Sequence, residues 1–356
     1  MSSSKVARFC LVAVALAISA VHADPGLTLT ITSAPVVNNA DNFNVVANLK
    51  NTGTETLVLF HEPRGLLSTA PTDSFKLLKD NGNGGATFNG LVAKYNFALA
   101  TDLTTLNPGE SVDVTHNLAK AYEFSSTGVY NIVPNTQFFY KGEDGSPVPI
   151  TANLVRGGLT AKLTGELKSR HIAKREARSA DLRRRAASFS GCTPAQESTI
   201  TLSTYVASLY VADAEKYLTL HTTGTDRYTT WFGEYDSDNH DRVLKHYENI
   251  RSTDVKTYTY DCDCTEGTSD TFAYVFPNSF GHIYLCNQYM QAEISGTDSK
   301  AGTIVHESSH FTRNAGTLDI AYGQTRAQAL AQTNSTAATM NADSHEYFAE
   351  NTPAQA

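Results

Sequence analysis

The sequence predicts an all-β sandwich over its first half and an α+β domain over its second. Three observations carry this prediction. Residues 24–155 alternate apolar and polar positions in short runs, residues 198–250 repeat apolar positions at helical spacing, and charge and cysteine divide between the halves. The chain has 356 residues, a length that suggests about two domains. With 41% hydrophobic and 18% charged residues it can build packed cores. A formal net charge of −8 argues against a general nucleic-acid binder.

The elements follow in chain order. Residues 1–23 carry Lys5 and Arg8, then an apolar run from Phe9 to Val21, then Val21-His22-Ala23. That is the pattern of a cleaved secretory signal, and the run is short for a membrane span, which needs ~20 residues. No later segment is long and apolar enough to cross a bilayer, so a secreted chain without stable membrane association is expected. In residues 24–155 the runs LTLTIT (27–32), NFNVVANLKN (42–51), TLVLFH (56–61), SVDVTHNL (111–118) and VYNIVPN (129–135) read as strands. Turn-forming DNGNGG (80–85) and NPGE (107–110) separate them.

The stretch 156–187 is basic, with ten Lys/Arg against three Asp/Glu between 156 and 185. In a secreted chain it reads as a processing linker, with Lys174-Arg175 and Arg183 to Arg185 as candidate cleavage sites. From 186 onward there are nine Lys/Arg against twenty-one Asp/Glu, a balance of −12, whereas the preceding part stands at +4. Opposite charge on the two halves suggests a pro-domain (24–155) that inhibits the domain after it (188–356). The second half is α+β. Residues 198–222 and 239–250 read as helices, KTYTYDC, TFAYVF and HIYLC as strands, and 340–351 as a last helix. Asn334-Ser335-Thr336 is a glycosylation sequon.

Cys10 lies in the leader, and Cys192, Cys262, Cys264 and Cys286 all lie in the acidic half. An even set in a secreted chain predicts two disulfides. Cys262 and Cys264 would leave a strand on the same face, so each is expected to bond elsewhere. Without a CxxC spacing, a zinc cluster of these thiols has no support.

The chemistry concentrates in GTIVHESSHFTRNAGTLDIAYG, residues 302–323. On a helix, His306 and His310 share a face and can both reach one ion. Glu307, one residue after His306, can hold a water beside that ion without ligating it. Thr297 or Asp298 can cap the start of the helix, and Asn314-Ala315-Gly316 can end it. A catalytic zinc takes three protein ligands and keeps an open position. Gly316 permits the turn that brings the third. Asp319 is the nearest carboxylate, Glu346 is the competitor on a later helix, and His345 is a weaker candidate. Tyr322, three residues after Asp319, is placed to donate a hydrogen bond to a developing oxyanion. In the mechanism these residues predict, Glu307 serves as general base to a zinc-bound water that attacks a peptide carbonyl.

HESSH followed by GTLDIAYG resembles the aspzincin metallopeptidases, whose pattern is HExxH followed by GTxDxxYG. Within them, residues 188–356 look like the fungal peptidyl-Lys metalloendopeptidases. The likeness extends to RYTTWFG, GTDSKAGTIVHESSHFTRN, MNADSHEYFAEN and the four cysteines. The resemblance implies a zincin-like fold and one zinc held by His306, His310 and Asp319, with Glu307 as base and Tyr322 as oxyanion donor. It implies the pairs Cys192–Cys262 and Cys264–Cys286. It also implies that Asp343 and Glu346, three apart in MNADSHEYF, make a negative pocket for a lysine on the carboxyl side of the cut bond. A deuterolysin-like endopeptidase of broader preference is the alternative enzyme. A secreted β-sandwich binding protein with structural zinc is the alternative from another class.

Overall fold

A computed structural model describes residues 24–80, 85–155, 159–169 and 186–355. The expected leader (1–23) and the candidate processing sites at 174–175 and 183–185 lie outside the described residues.

The first half is all β. One four-stranded sheet runs Asn153–Leu154, Leu27–Thr32, Asn44–Asn51, Ser111–Asn117. Its alternation sets the register: Leu29 faces Leu49 and Ile31 faces Ala47 across an antiparallel pair, on the buried side. A second sheet runs Val36–Asn38, Leu159–Thr164, Gly128–Pro134, Phe75–Lys79. Between the strands lies a core that includes Leu29, Phe43, Val45, Leu59, Tyr130, Ile132 and Leu163. The sequence predicts a two-layer sandwich, but the hydrogen bonding adds a third four-stranded sheet: Pro147–Thr151, Gln137–Lys141, Leu57–Phe60, Leu103–Leu106. The extra layer has a physical reason. Leu57, Leu59 and Phe138 join the core of the first half, while Phe60 and Phe139 are buried in a second cluster with Tyr95, Phe97 and Tyr322. This sheet therefore packs on two faces, one of them against the second half of the chain.

The second half is built on a five-stranded sheet ordered Ser188–Ser190, Thr259–Asp261, His282–Leu285, Thr271–Val275, Val92–Tyr95. Every residue of Thr271–Val275 and His282–Leu285 is buried, as expected of strands covered on both faces. The helix Lys300–His310 packs on this sheet, and Pro194–Leu220, Ser237–Thr253 and Ala342–Glu350 pack against that helix. The helix Pro194–Leu220 starts four residues before the periodic segment, because Thr193 and Gln196 form a capping box and Pro194 opens the helix. Disulfides join Cys192 to Cys262 and Cys264 to Cys286. Among the described residues no helix is long and apolar enough to cross a membrane.

The edge strand of this sheet comes from the other half. Val92–Tyr95 pairs antiparallel with Thr271–Val275, with Lys94 opposite Ala273, Ala93 opposite Tyr274 and Val92 opposite Val275. The sequence reading assigns no strand here.

Candidate active site

The helix Lys300–His310 is buried along its whole length. Its N-cap is Ser299, not Thr297 or Asp298: the Ser299 hydroxyl accepts from the Gly302 amide at 2.9 Å and donates to Glu350 Oε1 at 2.7 Å. Gly302 is required by a close approach. A Cβ there would lie 2.0 Å from Glu350 Oε1, so glycine lets the Ala342–Glu350 helix pack against this one. After His310 the chain turns through Gly316, whose φ of 62° lies in the left-handed region. Asn341 Oδ1 then accepts from the amides of Ile320 and Ala321, both at 3.0 Å, and fixes the loop that carries Asp319.

These devices bring three atoms together. Asp319 Oδ1 lies 3.1 Å from His306 Nε2 and 3.3 Å from His310 Nε2. All three atoms are sealed from solvent and have no hydrogen-bond partner. Buried polar atoms are otherwise nearly always satisfied, so the trio could hold a cation. The fit to zinc is good, because ligands at about 2.0–2.2 Å in a tetrahedron stand roughly 3.3 Å apart. The donor set of two imidazoles and a carboxylate suits the same ion. His310 Nδ1 donates to the Thr317 carbonyl at 2.8 Å, which leaves Nε2 free to ligate. His306 Nδ1 lies 2.9 Å from Asp343 Oδ1 and 3.2 Å from Glu346 Oε2. His306, Asp343 and Glu346 also cluster closely enough to hold an ion. However, Glu346 Oε2 already receives a lysine ammonium and Asp343 Oδ2 accepts from the Gly323 amide at 2.6 Å, so this group reads as support for His306. His345 takes no part, since it hydrogen-bonds His246 at 2.9 Å.

Glu307 is fully buried beside the trio, and burial pushes its carboxyl up to about 7. Its Oε1 accepts from the Lys94 amide at 3.2 Å, and its Oε2 has no partner. The Tyr322 hydroxyl donates to the Ala93 carbonyl at 3.1 Å. Burial would raise the Asp319 carboxyl, but the imidazoles of His310 and His306 more than offset this and hold it far below the usual range.

Several residues at the site are absent from the sequence reading. Lys94, 0% exposed, donates from Nζ to Glu346 Oε2 at 2.6 Å and to Asp298 Oδ1 at 2.9 Å. Its ammonium lies over the rings of Phe272 and Tyr347. The expected partner of Glu346 in the acidic pocket is Asp343, but the second carboxylate on this ammonium is Asp298, and Asp343 is engaged by Gly323 and faces His306. Burial alone would lower the Lys94 ammonium, yet Asp298, Glu346 and Asp343 raise it well above the ordinary value, so it stays charged. Asp298 is held in place by Tyr347, whose hydroxyl donates to it at 2.8 Å, and by Asn96 at 3.0 Å. Arg64 donates to the Asp319 carbonyl at 2.7 Å. The only sequence signal for Lys94 is a lone lysine in the apolar run LVAKY, which needs a buried anion.

The chain is similar to several known proteins. A family model described as lysine-specific metallo-endopeptidase matches residues 217–350. A peptidyl-Lys metalloendopeptidase of Grifola frondosa is 43% identical over 345 residues, covering 94% of this chain and 96% of the relative. One from Armillaria mellea is 41% identical over 357 residues, with 98% of each covered. A solved zinc peptidase from Grifola frondosa is 52% identical, covering 46% of this chain and 100% of its own, with a TM-score of 0.45. The chain belongs to the aspzincin metallopeptidases and is a zinc metalloendopeptidase.

Proposed function

We propose that the chain is a secreted precursor whose region 188–356 hydrolyses peptide bonds on the amino side of lysine. Residues 1–23 serve as the leader, 24–155 as the pro-domain and 156–187 as the processing linker. One zinc per chain is held by His306, His310 and Asp319, and when bound it supplies Lewis-acid activation of water and of the peptide carbonyl. Glu307 receives the proton of the attacking water and passes it to the leaving amine, a role in keeping with its Oε1 accepting from a backbone amide, that of Lys94. Tyr322 donates to the carbonyl oxygen as charge develops there. Asp343 holds His306 in orientation from behind.

The observation that carries the lysine preference is the seated ammonium of Lys94 between Glu346 and Asp298, one residue beyond the carbonyl that Tyr322 engages. A lysine has the reach and the compact charge for this pocket, whereas the planar guanidinium of arginine demands a bidentate partner. Digestion of a mixed peptide library with the processed enzyme tests the reading. Lysine should dominate the position after the cut. Arginine or apolar residues there as often as lysine would favour the broader deuterolysin-like activity.

A further inference from the structure

A cavity of about 530 Å³ lies beside Tyr322, where the two halves meet. Asp298, Tyr322, Gly323 and Arg326 line it from the second half, and Phe97 and Pro147 from the first. Arg326 stands in the first turn of the helix Gln324–Thr333. That end of a helix dipole repels a cation, so local helix stability does not account for the residue. Its Nε is sealed from solvent and has no hydrogen-bond partner among the described residues. Its neighbours are aromatic faces. The guanidinium carbon lies 4.2 Å from the ring centre of Phe139 and 5.6 Å from that of Phe97. Glu62 attracts it as well, but burial pushes the Glu62 carboxyl up to about 7, and Glu62 Oε2 accepts from the Arg64 amide at 3.1 Å.

We infer that Arg326 is a specificity-determining residue: in the processed enzyme it takes the face of an aromatic side chain of the substrate, borne by one of the three residues that follow the lysine. This rests on the lysine pocket and on release of the first half, both proposed above. Phe97 and Phe139 belong to the first half, so its release uncovers the guanidinium beside Tyr322. A guanidinium is planar, weakly hydrated and stacks on rings, which suits it to this task better than an ammonium. The two subsites adjoin, because Asp298, which accepts from Lys94 Nζ, also lines this cavity. A substrate seated by its lysine runs on toward Arg326, and three extended residues span about 10 Å. Phe97, the third residue after Lys94, shows that reach within this chain. The wall of the cavity also favours a ring: Tyr322 packs edge-on against Phe97, with centroids 6.3 Å apart.

The test uses enzyme secreted and processed from the full chain. Peptides with one lysine carry phenylalanine at the first, second or third position after it, and a control carries alanine at all of them. For the best phenylalanine peptide, kcat/KM should exceed that of the control by about two- to fivefold, the worth of an exposed cation–π contact. The ratio is read within each enzyme, so a change common to all the peptides cancels. Arg326→Gln should bring the ratio to unity, and Arg326→Lys should keep part of it. An unchanged ratio in Arg326→Gln would overturn the inference. A second readout needs no variant. Digestion of a mixed peptide library by the unmodified enzyme should enrich phenylalanine, tyrosine and tryptophan among the residues following the lysine. Lysine after the cut without that enrichment would overturn the inference and leave the lysine preference standing. Enrichment of aspartate or glutamate there would overturn it in favour of an ion pair at Arg326. Loss of lysine itself would overturn the pocket reading and the inference with it.

Discussion

Glu307 illustrates what a single residue can be asked to do. It has one oxygen without a partner and is pushed up to about 7, chiefly by burial, so it is suited to take and return a proton. Glu307→Gln should keep zinc and lose turnover by on the order of 10²–10⁴-fold, with metal content and rate measured on the same preparation. The three orphaned atoms of His306, His310 and Asp319 make a second expectation. Asp319→Ala should weaken zinc affinity far more than Glu346→Ala, and Asp343→Asn should fall between them, at about 10–100-fold. Competition with a chelator reads all three, and a reversed order for Asp319 and Glu346 would reassign the third ligand. His306, Glu307 and His310 are legible in the sequence because helical spacing alone puts both imidazoles on one face. The partner of Glu346 is not legible. Spacing fixes which residues share a face, but Asp298 reaches the pocket through a loop with a left-handed backbone, its φ being 52°. Lys94 is still further from view, because its acidic partner lies 252 residues away.

Among the elements, the helix Ala342–Glu350 does most to organise the site, and it carries its own sensitivity to acid. His345 Nε2 and His246 Nδ1 are 2.9 Å apart, a bond in which one ring must donate and the other accept. Burial is the main cause that pushes His246 down to about 4 and His345 down to about 3, so the folded state keeps both neutral. Unfolded, each would titrate near 6.5. As pH falls from about 6.5 toward 4 the unfolded chain gains protons that the folded chain refuses, and stability is lost across that window. His246→Gln should flatten the pH dependence of the thermal midpoint between about pH 6.5 and 4 relative to the unmodified chain. Matching slopes would remove the pair from the account. Several strand positions of the first half are read well from alternation, and Leu57–Phe60 of the third sheet falls within one of those runs, yet its neighbours Leu103–Leu106, Gln137–Lys141 and Pro147–Thr151 are not foreseen, since they are short and carry no clean period-two burial.

At the scale of the molecule, the halves are joined by a shared sheet as well as by a linker. If processing follows Arg185, the new terminus should fall at Ala186 to Ser188, which N-terminal sequencing of the secreted protein would show. The boundary has a structural reason. Ser188–Ser190 pairs in parallel with Thr259–Asp261, and Cys192 is bonded to Cys262 just beyond it. Trimming to Gly191 should therefore lower the thermal midpoint, while a terminus at 186 to 188 should not. The division of charge and cysteine marks the two halves in the sequence. It does not reveal that one lends a strand to the other, because pairing across such a distance leaves no local pattern.

That lent strand has a consequence for how the freed enzyme behaves in bulk. If processing releases Val92–Tyr95, the backbone N–H and C=O groups of Ala273, Tyr274 and Val275 that it covers should form an open rim on a buried strand. An unpaired rim invites any extended chain, including another molecule's, and unprotected edges are where β proteins aggregate. The processed enzyme should thus be colloidally less stable than its precursor. Light scattering should grow with concentration after the first half is removed, and a lysine-bearing peptide that cannot be cut should suppress it by occupying the rim. Equal scattering from precursor and processed enzyme would mean that the rim is shielded by something other than the strand.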